Sequence, residues 1–289
     1  MVSSGEMPDS KGVEEVEARV WASLAGVTAV EPLFDSKGTF AATALFADLA
    51  HPLISRVVGL GSGRTVEPET LDRIIERYDA TGADSIFVPL APTARPAKLP
   101  RLLKERGFEA SMKEAKLYRT TEQSPQRDPY FQIREASPEE LEVVQVLYAN
   151  SGMRKEWTNI VSANVGAPYW YHYMALDGGR PVALGSMYAW QDYAFTLPGW
   201  TLPAYRRKGF QRAINTYRIG EAKRLGCGWI TANVDVTEAP IGFTVRSYER
   251  LGFKILYLRD TYIRQRPPSA LNAYTRRMMA TPEPIAPVS

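Results

Sequence analysis

The sequence predicts a mixed α/β protein made of two tandem units, each a mixed, mostly antiparallel sheet flanked by helices. Three observations carry this. The 289-residue chain is long for one domain and comfortable for two. Similar segments return at a fixed offset: Gly107-Phe108 in LLKERGFEASMKEAKLYR recurs as Gly252-Phe253 in SYERLGFKILYLRDTYIR, 145 positions later (252 − 107), and Arg119 recurs as Arg264 at the same distance. Helical and strand periods also follow one another in the same order in both copies.

Residues 1–12 are polar, with no apolar run, and are expected to be a flexible N-terminus. The first unit spans 13–120. Its helix stripe is Leu71, Ile74, Ile75 and Tyr78, at i, i+3, i+4 and i+7, and ERYDATGADSIFVPL reads as a helix end, a glycine stop and an apolar strand. Residues 121–129, TEQSPQRDP, are polar and proline-bearing, a linker. The second unit spans 130–264 and opens with a strand over Tyr130–Arg134. Ser137 then suits an N-cap, Pro138 the first helical position and Glu140 the return bond of a capping box. Asp177-Gly178-Gly179-Arg180 reads as a hairpin turn between strands near Trp170–Leu176 and Val182–Trp190. Phe210, Ala213, Ile214 and Tyr217 repeat the helix stripe, and IGEAKRLGCGWITANV repeats the helix end, stop and strand. Residues 265–289 are a proline-rich tail with room for one short helix, Ser269–Ala280.

Composition narrows function. A 45% hydrophobic, 23% charged chain is ordinary globular material. The net charge of +3, from 35 basic and 32 acidic residues, is too mild for a nucleic-acid partner. The single cysteine, Cys227, excludes an intramolecular disulfide and a cysteine zinc cluster, and two histidines, His51 and His172, argue against a metal site. No apolar run approaches the ~20 residues of a membrane span. The expectation is a cytoplasmic protein with no membrane partner and no metal.

The most informative segment is Thr201–Cys227. Arg206, Arg207, Lys208 and Arg212 crowd the N-terminus of a helix. That end of the macrodipole is already positive, so each cation costs roughly 0.3–1 kcal/mol there. Cations gathered on free N–H groups point to a bound anion.

The segment Thr201-Leu202-Pro203-Ala204-Tyr205-Arg206-Arg207-Lys208-Gly209 resembles the strand-to-loop signature of the GNAT N-acetyltransferase superfamily, V-x-P-x-Y-R leading into R/Q-x-x-G-x-G/A. Arg206 and Gly209 match the first two fixed positions of the loop. Gln211 stands at the third, where glycine or alanine is usual. Downstream, Ser247-Tyr248-Glu249-Arg250-Leu251-Gly252-Phe253 resembles the family's Y-x-x-x-G-F, and Ile241 replaces the asparagine often found seven residues before that tyrosine. The match runs over about 135 residues, from Asp128 to Arg264, and the two-unit layout is similar to tandem members of the superfamily.

The resemblance implies acetyl-CoA, or another acyl-CoA, as co-substrate. Its pyrophosphate would lie on Arg206, Arg207, Lys208, Gly209, Phe210 and Gln211, and its pantetheine on the strand at Gly199, Trp200 and Thr201. It implies Tyr248 as the acid that protonates the departing thiolate and a backbone N–H of Leu197–Thr201 as oxyanion donor. Pro198 inside that strand requires a bulge or irregular stretch, since it has no N–H for a ladder. No base stands out; Asp235 and Glu238 are carboxylates near the end of the next strand, and water-relayed deprotonation is an equal reading. Asp192 precedes the cofactor strand. Cys227 is expected to be a buried apolar residue rather than a nucleophile, and His172 a packed or exposed strand residue.

In the first unit the corresponding loop is Gly59-Leu60-Gly61-Ser62-Gly63-Arg64, followed by Glu67 and Glu69 where an anion would sit. This predicts a degenerate unit without cofactor that is structural or walls the substrate cleft. The aromatics Trp157, Tyr169, Trp170, Tyr171, Tyr173, Tyr188, Trp190, Tyr193 and Trp200 are expected mostly in packing, with the Trp157–Trp170 region a place for an acceptor pocket. The function implied is transfer of an acetyl or other short acyl group from coenzyme A to an amine of a small molecule. The competing readings are a non-catalytic GNAT-like protein that binds coenzyme A or a partner, and the same fold with another donor, acceptor or reaction.

Overall fold

The computed structural model describes residues 7–24, 30–34, 40–45, 55–81, 85–150, 155–237 and 243–265. The tail helix expected over Ser269–Ala280, Glu238 and Ile241 lie outside them. In chain order the elements are α1 (Ser10–Ala22), β1 (Val30–Phe34), β2 (Phe40–Leu45), β3 (Val57–Val58), α2 (Pro68–Thr81), β4 (Ser85–Leu90), α3 (Leu99–Glu105) and β5 (Glu109–Thr120). The second half follows with β6 (Gln132–Glu135), α4 (Leu141–Ala149), α5 (Lys155–Ser162), β7 (Trp170–Asp177), β8 (Arg180–Trp190), β9 (Tyr193–Thr201), α6 (Phe210–Arg224), β10 (Trp229–Asp235), α7 (Phe243–Glu249) and β11 (Lys254–Gln265).

Local chemistry explains most boundaries. Ser137 and Glu140 form the capping box, leading through a 3-10 turn into α4. The Gly178-Gly179 turn, both residues at positive φ, joins β7 to β8. Helix α1 starts at Ser10, inside the segment expected to be flexible, because Asp9 caps it by accepting from Lys11 N–H. In α2 the side chains of Leu71, Ile74 and Tyr78 are buried as the stripe requires.

The sheets are not partitioned between the halves. A three-stranded sheet has the order β1-β2-β3, and an eight-stranded sheet has the order β4-β11-β5-β10-β9-β8-β7-β6. A parallel bridge, Arg56 to Phe87, joins the region of β3 to β4. Outward from the central β11/β5 pair, one side runs β4, then β3-β2-β1, and the other runs β10, β9, β8 and β7. This is the order expected of a duplicated unit whose two final strands have been exchanged: β5 pairs with β10, and β11 pairs with β4. The separate sheets expected from sequence are therefore joined. The mixed α/β class holds, with helices on the sheet faces.

Helix α1 crosses the halves as well. Val16, Val20, Trp21 and Leu24 pack with Val144, Leu147, Trp170, Tyr188, Phe195 and Leu197 in one buried cluster. The opposite face is covered by α6 and α7, where Ile219, Ala222 and Val245 meet Ala115, Leu117, Ala194, Ile230 and Ala232.

Candidate functional site

Strands β9 and β10 run parallel and pair from Trp229↔Tyr193 to Ala232↔Thr196, and there the pairing stops. Beyond it, β9 continues against β8 and β10 continues against β5. The two strands splay, and their facing edges are left unpaired with each other. At the vertex, Gly185 pairs with Gly199 and Met187 with Thr196, so two steps of β8 face three steps of β9. The extra residue lies at Leu197-Pro198, the bulge that the proline requires.

The strand leads through a 3-10 turn, Pro203–Tyr205, into the basic loop. Gly209 is the N-cap of α6 at φ +92° and offers no side-chain acceptor, so the first N–H groups of α6 are uncapped. Arg207 has φ +62°, a left-handed backbone that costs a non-glycine residue roughly 1–2 kcal/mol. Arg206, Arg207, Lys208 and Arg212 are all exposed. The Arg206 guanidinium lies 4.3 Å over the Trp200 ring, and the Lys208 ammonium lies 5.0 Å from the Tyr205 ring centre. Phe210 is buried under Phe131 and Tyr205 and anchors the helix start.

Gln211 turns away from the loop mouth. Its Nε2 donates to the Leu184 carbonyl at 3.2 Å and to Thr201 Oγ1 at 3.0 Å. Gly199 makes this possible, because a Cβ there would sit 2.3 Å from Gln211 Oε1. The departure at the third loop position is thus matched by a glycine on the neighbouring strand.

Tyr248, on α7, reaches the vertex, with its hydroxyl 3.5 Å from Thr196 Oγ1 and its ring edge-on to Phe253. Asp235 is exposed at the end of β10, and its Oδ1 accepts from Thr237 N–H and Oγ1–H. Asp192 holds the β9–β10 approach by accepting from Gly228 N–H at 2.7 Å. Cys227 is buried, and burial, aided by Asp192, pushes its thiol up to about 12. Of the aromatics, Trp170, Tyr173 and Tyr188 are buried, while Tyr169 is exposed; the Trp157 side chain is outside the described residues.

Two buried polar assemblies meet the same vertex and were not foreseen. On the α4 side, Ser186 Oγ lies 2.6 Å from Tyr148 Oη and 2.7 Å from His172 Nδ1. Burial drives His172 down to about 4 and Tyr148 up to about 12, so both are neutral near pH 7. On the α6 side, Arg218 is fully buried. Its signal in the sequence was its place four residues beyond Ile214, where the apolar stripe would continue.

The first unit's glycine loop does not form a cradle. A Cβ on Gly61, at φ +78°, would lie 2.8 Å from the Arg95 carbonyl oxygen, and Arg95 N–H donates to Gly61 O. Gly61 there serves backbone–backbone packing. A cavity of about 510 Å³ lies between the linker, β6 and the α6 flank bearing Ala213 and Tyr217. Its arginines are already neutralised, Arg127 by Glu221 at 2.8 Å and Arg134 by Glu140 at 2.6 Å. Among the described residues there is no group of three or more His, Cys, Asp and Glu that could hold a metal ion. None of the described helices is long and apolar enough to cross a membrane.

No family model matches the sequence, and no curated protein matches it. Solved structures do match in shape. A GCN5-related N-acetyltransferase from Kribbella flavida superposes with a TM-score of 0.62 at 17% identity, covering 89% of this chain and 97% of that one. A GCN5-related N-acetyltransferase from Sphaerobacter thermophilus gives 0.55 at 16% identity, over 88% and 86%. A tandem GNAT protein from the clavulanic acid biosynthesis pathway gives 0.59 at 12% identity, over 84% and 85%. With the splayed β9 and β10 and the basic loop between them, the chain has the fold of the GNAT N-acetyltransferases.

Proposed function

We propose that this chain transfers an acetyl or other short acyl group from coenzyme A to an amine of a small molecule, with residues 130–264 as the acyltransferase unit and 13–120 as a degenerate one. The observation that carries the reading is the bulged, splayed β9 running straight into an uncapped helix N-terminus ringed by exposed cations. Those groups suit coenzyme A. The N–H groups of Phe210, Gln211 and Arg212, with Arg206, Arg207 and Lys208, suit a pyrophosphate. The edge of β9 at Gly199, Trp200 and Thr201 suits the amides of pantetheine. The acyl thioester supplies the activated carbonyl.

The chain's own residues then have distinct tasks. The bulge at Leu197-Pro198 frees strand N–H groups to polarise a carbonyl. Tyr248, at the vertex, donates its hydroxyl proton to the leaving sulfur. Asp235, whose Oδ1 accepts from Thr237, takes the proton of the approaching amine in this reading. Cytoplasmic residence and a small-molecule acceptor are parts of the same proposal.

Tyr248→Phe is the test. Turnover of acetyl-CoA on a panel of amines is expected to fall by about 100-fold or more, with acetyl-CoA affinity within a few-fold of the parent. Unchanged turnover would remove Tyr248 from the chemistry.

A further inference from the structure

Arg218 projects from α6 into the sheet at the vertex of the splay. Nη1 donates to the carbonyls of Ser186 at 2.6 Å and Leu197 at 2.8 Å, and Nη2 donates to Asn215 Oδ1. Nε has no hydrogen-bond partner among the described residues. Among the described residues no carboxylate forms an ion pair with it. Arg259, equally buried, shows the contrast: it is held by Glu14, Glu17 and Glu114. A guanidinium stays charged, and burying that charge among neutral partners is costly. Burial works against its charge and lowers its pKa from the usual arginine value.

That cost is accepted at the bulge residue Leu197, whose neighbour Thr196 has its Oγ1 3.5 Å from the Tyr248 hydroxyl. A fixed positive charge in a water-poor site stabilises negative charge that arises next to it far more than the same charge would in water. We propose that Arg218 is the positive charge that stabilises the thiolate released at this vertex, acting through the Tyr248 hydroxyl; the inference rests on the acyl-transfer reading above. In that step the amine lone pair forms the new C–N bond, the C–S bond breaks, and its electron pair leaves on sulfur. The Tyr248 proton moves onto that sulfur, and the ammonium proton passes to water or to Asp235, from which the tyrosine is reprotonated. Arg218 is a positioning residue: it pins the bulge and lowers the energy of the negative charge that Tyr248 meets.

A merely structural role, pinning the bulge, would leave the thiol's own ionisation untouched, and this separates the two. The full-length protein is saturated with coenzyme A and the thiolate absorbance is followed against pH, with desulfo-coenzyme A in the reference. The titratable groups around Arg218 are Tyr248 on α7, Tyr148 on α4 and Tyr173 on β7, with His172 linked through Ser186. The reference subtracts them. The bound thiol is expected to ionise about one pH unit or more below that of unbound coenzyme A. Arg218→Met should return it to the value of unbound coenzyme A, and Arg218→Lys should keep part of the shift. A wild-type thiol that ionises at or above the unbound value overturns the inference while leaving acyl transfer standing, and this needs no folded variant. Absence of coenzyme A binding overturns the acyl-transfer reading and the inference together.

Discussion

Tyr148, Ser186 and His172 show how single residues at the vertex tie chemistry to stability. His172 is buried, and its folded pKa, about 4, lies below the ordinary 6.5 because burial disfavours the cation. Between those values the unfolded chain binds more protons than the folded one. The contribution of His172 is therefore complete above about pH 6.5 and is lost as pH falls towards 4, roughly 3 kcal/mol in all. Denaturant midpoints measured from pH 7.5 to 4.5 should fall for the parent and much less for His172→Gln, after allowing for its lower starting stability. Equal slopes would mean that His172 is solvated in the folded state. In the sequence His172 was one strand residue among many. Ser186, which bonds it, is 14 positions from His172, and Tyr148, which bonds Ser186, is 38 positions from Ser186, so no local pattern joins them.

The elements were more legible than their partners. Period-3.6 stripes, the Ser137–Glu140 capping box and the paired glycines before Arg180 each depend on neighbours in sequence, and each is where those neighbours put it. Pro198 announced the bulge because a missing N–H is a purely local fact. Helix α1 was not legible in the same way. It carries Glu14 and Glu17 at i and i+3, which in isolation reads as a solvated face. Both are buried, because β5 and β11 bring Lys116 and Arg259 against them from 99 to 245 positions away. Glu14, Glu17 and Glu114 face Arg56, Lys116 and Arg259, three carboxylates against three cations, with Asn233 of β10 donating to Glu17 at 2.8 Å. Burial alone would raise Glu17; Arg259, Lys116 and Arg56 outweigh it and hold the carboxyl well below the usual range. Balance is what makes such a cluster tolerable, so removing one partner is severe. Lys116→Met should cost about 3–5 kcal/mol of unfolding free energy, read from urea melts of the full chain. A loss under about 1 kcal/mol would show that water reaches the cluster.

At the scale of the whole molecule, the 145-residue offset finds its meaning at the centre of the sheet. Glu114 and Arg259 are 145 apart (259 − 114), and they face each other in the β5/β11 register. The duplicated unit meets itself there, on a pseudo-two-fold axis. An identical pair at that point would set like charges side by side; the two copies differ in sign and form an ion pair of 2.8 Å. The exchange of β5 and β11 explains why sequence marked two units and the structure joins them. Helix and strand periods are local, whereas the choice of which β10-like edge a final strand joins is made by tertiary packing. It also gives the first half a task, because β5 pairs along β10 and Glu17 of α1 accepts from Asn233 of β10.

The claim on which everything else depends is that the second half holds coenzyme A at the Arg206–Gln211 loop. Calorimetric titration of the full-length chain with acetyl-CoA tests it most directly, beside Gly209→Glu, which puts a carboxylate at the uncapped start of α6. One site per chain in the parent, abolished in the variant, is the predicted result. Equal binding by both would place the pyrophosphate elsewhere, and no binding by the parent at millimolar ligand would contradict the account of the splayed strands as a coenzyme A site.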